Sequence, residues 1–306
     1  MARSGGQQGR PGGHLPLWAW GGLAVIVAAV VLAAALLPGR HGGVTAASPT
    51  ASALAGSAHP PVERLALKVL AVHPHDPACY TQGLVWHGGE LYESCGQYGQ
   101  SSLRRTDPAT GAVRQRAAVP AQYFAEGLAL VGEKLLQLTW REGVALVYDR
   151  KSFGRTGQLS YQGEGWGLCY DGKRLVMSDG SDRLTLRDPA TFAVIGDTAG
   201  VGSGGEIKVT REGVPVERLN ELECVGDSIY ANVWMTDEIL RIDAATGRVT
   251  GAIAAAGLLT LPEREKAEVL NGIAWNPETR RFWITGKNWP KMFEVEIVPA
   301  GGAPRP

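Results

Sequence analysis

Beyond residue 87 this chain contains no histidine; its six stand at positions 14, 41, 59, 73, 75 and 87. A serine-type triad in the body of the fold therefore lacks its base, and a histidine-ligated zinc site has no ligand set. Cysteine is also scarce. Cys79, Cys95, Cys169 and Cys224 form no Cys-x-x-Cys pair, so the usual thiol signature of metal or redox chemistry is missing. Net charge is absent too: 30 Lys and Arg balance 30 Asp and Glu, with no basic stripe. Nothing here recruits nucleic acid. His73 and His75 flank Pro74 at the exit of an apolar run, which predicts solvated loop histidines.

Leu17 to Leu37 is an uninterrupted run of 21 residues without a charge, dominated by Ala, Val and Leu. A helix of that length crosses a bilayer core of about 30 Å, whereas a cleaved signal has an apolar region of about 7–15 residues. Residues 1–16 are then a cytoplasmic tail and 17–37 a retained anchor. Cleavage near Ala53-Leu54-Ala55, giving a secreted form, is the alternative. Residues 38–64, dominated by Gly, Ala, Ser, Thr and Pro as far as Pro61, read as a flexible linker. The body, 65–298, would then lie outside the cytoplasm, followed by a short tail, 299–306.

That body repeats. Gln82-Gly83-Leu84, Glu126-Gly127-Leu128, Trp166-Gly167-Leu168, Asn220-Glu221-Leu222 and Asn271-Gly272-Ile273 open five similar segments, their first residues 44, 40, 54 and 51 positions apart. Each leads through a Gly- or Asp-rich turn into a second apolar run, and most reach a third strand closed by Asp-Pro-x-Thr or a similar turn. Periods of roughly 40–50 residues filled with short strands are the mark of propeller blades. The expectation is an all-β, five-bladed β-propeller. Leu65 to Val72 is predicted to supply the outer strand that the fifth copy lacks, joining the two chain ends.

The register places chemistry. The first strand of each blade lines the axis, so Gln82, Glu126, Trp166, Asn220 and Asn271 should ring one mouth. Trp140, Trp234 and Lys287 stand at matching positions after the second strands and form a second tier of the same mouth. Cys169 and Cys224 fall one alignment position apart on neighbouring copies, and Cys79 and Cys95 near one blade edge. Disulfides and buried free thiols are both compatible with that placement.

Tyr80-Thr81-Gln82-Gly83-Leu84, Phe124-Ala125-Glu126-Gly127-Leu128, Gly165-Trp166-Gly167-Leu168, Leu219-Asn220-Glu221-Leu222-Glu223, Asn232-Val233-Trp234, and Asn271-Gly272-Ile273 with Thr285-Gly286-Lys287 carry a resemblance. In order and spacing, over roughly residues 65–298, they resemble the plant and bacterial type of glutaminyl-peptide cyclotransferase. Departures are Tyr80 for the family's usual Phe, Cys95 for Thr and Ala125 for Gly. The resemblance implies a metal-independent, cofactor-free enzyme that converts N-terminal glutamine of peptides or proteins to pyroglutamate with loss of ammonia. It implies Glu126 as acid/base, with Asn220 and Lys287 as further catalytic residues. Gln82, Trp140, Trp166, Trp234 and Asn271 would then bind substrate, in a monomeric catalytic domain.

Two other readings are weaker. A non-catalytic peptide-binding propeller has no use for a single central carboxylate. A calcium-dependent lactonase-type propeller needs several acids at inner strand starts, where this ring has one Glu. Asp179-Gly180-Ser181-Asp182 reads as a turn.

Overall fold

Short, nearly continuous apolar runs between Gly- and Asp-rich turns leave strands with two faces to bury, and the computed structural model satisfies both faces by stacking sheets side by side. It describes residues 60–196 and 204–301. The expected cytoplasmic tail, membrane span and nearly all of the linker lie outside the described residues. Among the described residues no helix is long and apolar enough to cross a membrane. Ordered strands run from β1 (Glu63–Pro74) to β22 (Lys291–Pro299).

The first unit is the meander β2 (Tyr80–His87), β3 (Glu90–Gly96), β4 (Ser102–Thr106) and β5 (Val113–Ala118). The second is β6 (Ala125–Val131), β7 (Lys134–Thr139), β8 (Val144–Asp149) and β9 (Arg155–Ser160). The third is β10 (Leu168–Tyr170), β11 (Leu175–Ser178), β12 (Arg183–Arg187) and β13 (Glu206–Lys208). A small hairpin, β14 (Thr210–Arg211) with β15 (Val214–Pro215), leads into β16 (Leu219–Val225), β17 (Ser228–Val233), β18 (Glu238–Asp243) and β19 (Val249–Ala254). One helical turn, α1 (Leu261–Arg264), precedes β20 (Leu270–Asn276), β21 (Arg281–Gly286) and β22.

The chain ends close as the sequence predicts, with an addition. β1 pairs antiparallel with β22, from Leu65 opposite Pro299 to Pro74 opposite Lys291. It also pairs parallel with β19, Glu63 to Ala66 against Gly251 to Ala254. The last two units thereby fuse into one eight-stranded sheet in the order β16-β17-β18-β19-β1-β22-β21-β20.

Burial falls from inside outward: β6 is almost wholly buried, while β9, at the outer edge of the same unit, is mostly exposed. The innermost strands touch in a closed cycle, β2 with β6, β6 with β10, β10 with β16, β16 with β20, and β20 with β2. Apolar side chains fill each gap between successive units, for example Leu103, Leu128 and Leu146 between the first two and Leu84, Ala274 and Trp283 where the ring closes. The result is an all-β, propeller-like body.

Both cysteine pairs are disulfides. Cys79–Cys95 ties the entry of β2 to β3 with Cα atoms 5.1 Å apart, and Cys169–Cys224 links β10 to β16 at 5.5 Å. One expectation is overturned for both histidines: His73 lies within β1, half-buried, its ring centroid 4.8 Å from that of Trp283. His75 is not a solvated loop residue but is 8% exposed, with Nε2 2.8 Å from Glu93 Oε1 and Nδ1 2.7 Å from the Trp289 carbonyl. Pro74 ends β1 there, and His75 turns in under the β21–β22 loop, its N–H donating to the Pro290 carbonyl at 3.0 Å.

Candidate functional site

The repeated opening motif falls where the inner strands are irregular. Register shifts occur between Thr81 and Gly83, Ala125 and Leu128, Leu219 and Leu222, and Leu270 and Ile273. A bulge at the start of a strand turns a side chain that would face a neighbouring sheet toward the axis. Gln82, Glu126, Asn220 and Asn271 sit at those bulges. The glycine that follows lets neighbouring strands close: a Cβ on Gly127 would stand 2.6 Å from the Trp166 oxygen, and one on Gly167 2.0 Å from the Asn220 oxygen. The fourth copy has Glu221 in the glycine's place. Its carboxylate crosses the axis and accepts the backbone N–H groups of Leu84 (3.2 Å) and Ile273 (2.8 Å).

Seven of the eight expected site residues meet in one cavity of about 260 Å³: Gln82, Glu126, Trp140, Trp166, Asn220, Trp234 and Lys287. Tyr80, Gln97 and Phe124 complete its wall. A larger hollow of about 640 Å³ between Asp171 and Ala245 is lined by turn residues and gathers no comparable group of side chains. The eighth residue, Asn271, is displaced from its expected place at the wall. It lies fully buried behind Gln82, donating from Nδ2 to Gln82 Oε1 (3.2 Å) and to the Thr81 carbonyl (2.9 Å). Gln82 in turn donates from Nε2 to Glu126 Oε1 at 2.9 Å. Three neighbouring strands thus fix the carboxylate through a chain of two amides.

Burial dominates the electrostatics. It pushes the Glu126 carboxyl well above the usual range; the Lys287 charge opposes the rise, and Glu164 and Glu142 add to it. Burial also lowers the Lys287 ammonium, against the pull of Glu126 and Glu268. The ammonium stands 4.8 Å from the centre of the Tyr80 ring, whose hydroxyl donates to Glu268 Oε2 at 3.1 Å. Asn220 lines the cavity, and its buried Oδ1 receives no hydrogen bond from the described residues.

The aromatic walls have individual supports. Trp166 lies on Gly180, where a Cβ would come within 2.7 Å of the ring, and meets Trp234 edge-on with centroids 5.7 Å apart. Phe124 lies edge-on to Trp140 at 5.7 Å and fills the space over Gly96. Both indole N–H groups, Trp140 and Trp166, donate to the same atom, Glu164 Oε2, at 2.8 and 3.0 Å. Sequence reading missed Glu164, and its only sequence cue is a position two residues before Trp166. Asp179 accepts from the backbone and hydroxyl of Ser181, a turn and no more. Among the described residues His75, Cys79 and Glu93 have the spacing of a metal site, but the Cys79 sulfur is bonded to Cys95.

Comparison with known proteins points to this same cavity-bearing body. The profile of the Glutamine cyclotransferase family matches residues 43–297. The glutaminyl-peptide cyclotransferase of Arabidopsis thaliana is 38% identical over 240 residues, covering 76% of this chain and 72% of that protein. The crystal structure of Myxococcus xanthus glutaminyl cyclase superposes with a TM-score of 0.68 at 40% identity, covering 77% of this chain and 98% of that one.

Proposed function

Because the chain belongs to the glutamine cyclotransferase family, we propose that it closes the N-terminal glutamine of peptides to pyroglutamate at this cavity, with Glu126 carrying the proton. The body is read as a five-bladed propeller, a reading supported by the closed cycle of five inner strands. The observation that carries the mechanism is a single buried carboxylate, fixed by Gln82 and facing Lys287 and Asn220 in an aromatic-walled cavity.

The substrate's own α-amine attacks the carbon of its side-chain carboxamide. A five-membered ring forms as the new C–N bond closes, and the old C–N bond breaks to release ammonia. Holding the attacking rotamer removes much of the barrier, since the reaction is intramolecular. Trp140, Trp166 and Trp234 wall the cavity, exclude water and attract the amine to their ring faces. Asn220, at the cavity wall, orients the substrate through its side-chain amide.

Attack moves a proton off the amine nitrogen, and departure requires one on the leaving nitrogen. Glu126 takes the first and returns it to the second. A carboxyl raised toward the working pH suits both halves of that transfer. The carbonyl oxygen gains negative charge as the ring closes, and Lys287 stabilises it from a site poor in water. Asn271 acts through Gln82, and both keep the carboxylate in place. No step calls on a metal or cofactor.

Incubating the protein with Gln-initiated dipeptides should release ammonia in step with the loss of primary amine. Folded protein that binds such peptides without releasing ammonia would favour the non-catalytic alternative. The two disulfides and the apolar run at 17–37 support a membrane-anchored enzyme with its catalytic body outside the cytoplasm. Retention of the full-length chain in carbonate-washed membranes tests the anchor, and a soluble form beginning near residue 54 would replace it with a cleaved signal.

A further inference from the structure

We infer that Glu164 is a positioning residue of this site: one carboxylate holds Trp140 and Trp166, from two neighbouring units, at the spacing the substrate's terminal residue requires, and its charge faces Glu126. The inference rests on the cyclotransferase reading for its kinetic consequences, and on geometry alone for the clamp.

A half-buried glutamate in a surface loop ordinarily faces water. Here both oxygens are committed. Oε2 accepts the two indole N–H groups at 2.8 and 3.0 Å, and Oε1 accepts Arg141 Nε at 3.0 Å. The Arg141 guanidinium lies 3.6 Å from the centre of the Trp140 ring, so it covers one face of the wall that Glu164 holds by its edge. The main chain ties the same parts together, with Gly165 N donating to the Trp140 carbonyl at 2.8 Å and Gly127 N to the Trp166 carbonyl at 2.7 Å. An indole has one donor. With that donor fixed and the ring packed on Gly180 or Phe124, neither wall can turn without breaking a charge-assisted bond.

The second effect is electrostatic. Glu126 is faced by the Lys287 cation, the Glu164 and Glu142 carboxylates, the Gln82 amide and the phenols of Tyr80, Tyr98 and Tyr161. Burial alone would raise the Glu164 carboxyl, yet the bonds from Trp166, Trp140 and Arg141 hold it below the usual range, so it is ionised near neutrality. That fixed negative charge works against ionisation of Glu126. Removing it should let Glu126 ionise at lower pH.

Glu164→Gln and Glu164→Ala separate the two effects. The glutamine keeps an oxygen for the indoles but has no charge. Its pH profile of kcat/KM on a Gln-initiated dipeptide should move to lower pH on the limb that reports Glu126, with KM within about threefold of the parent. The alanine removes both, so the same limb moves and KM rises about tenfold or more, a loss of the size expected when an ordered wall is released. Tryptophan emission and acrylamide quenching on the full chain read the clamp without catalysis, and both should change in Glu164→Ala and far less in Glu164→Gln. A folded Glu164→Ala protein with parental emission and quenching overturns the clamp, even if the parent shows no turnover. An unmoved pH limb in both active variants overturns the electrostatic part.

Discussion

Glu126→Gln is expected to leave the fold and KM nearly intact and to lower kcat by about 10²-fold or more. The amide has the size of the carboxylate, and its oxygen can still accept the Gln82 Nε2 bond now made at 2.9 Å. What it lacks is a site for the proton in transit at neutral pH. Stability should not suffer. Burial raises the native pKa of Glu126, so the folded state loses stability as pH rises above the ordinary carboxyl value of 4.5 toward that raised value. The uncharged amide escapes this loss, and the variant should melt at or above the parental temperature at pH 7. Steady-state kinetics beside a thermal melt decide it. A folded variant with parental kcat would leave orientation and desolvation as the whole mechanism and remove Glu126 as the shuttle.

Glu126 could be found in the sequence because it repeats a position. The five motif copies, their turns and the second-strand endings carry one register, so aligning them sends Glu126, Trp166 and Asn220 to one mouth with Trp140, Trp234 and Lys287 beside them. The turn at Gly88-Gly89 and its counterparts are local chemistry, legible without a partner. Asn271 shows where that logic stops: it obeys the register but lies one layer deeper, because Gln82 from the adjoining strand occupies the wall in front of it. Glu221 was a visible departure, an acid in a glycine slot, whose meaning needed the backbone N–H groups of two other units. Glu164 stands outside the repeat and gains its role from an indole 24 residues earlier. The sequence leaves the state of the cysteines open because 55 residues separate Cys169 from Cys224 and spacing alone does not bring two sulfurs together.

His75 is the clearest case of tertiary structure overruling a local signal, and it sets up the largest expected stability effect. Its Nδ1 faces a carbonyl oxygen, which only accepts, and its Nε2 faces an oxygen of Glu93, which only accepts when ionised, so the ring carries both protons wherever Glu93 is a carboxylate. Burial alone would push the His75 pKa down, but the charge and hydrogen bond of Glu93, joined by the Trp289 carbonyl and the Asp76 charge, outweigh it, and the native value is raised above 6.5. Burial alone would raise the Glu93 carboxyl, but His75 outweighs it, helped by the Thr81 hydroxyl at 2.7 Å, and the native value lies below 4.5. The contribution of His75 is therefore complete below pH 6.5 and is lost as pH climbs through its raised value. That of Glu93 is complete above pH 4.5 and is lost as pH falls through its lowered value. Glu93→Gln should cost about 3–5 kcal/mol where both groups are charged, because it leaves a buried cation without its partner. It should also reverse the slope. Without the Glu93 charge, burial governs His75, the native ring prefers to be neutral, and stability falls as pH drops below 6.5 instead of falling as pH rises above it. Urea melts of parent and variant from pH 5 to pH 8 would show the crossing. Parallel curves would mean that the pair is neutral in the native protein and that its two short contacts are ordinary hydrogen bonds.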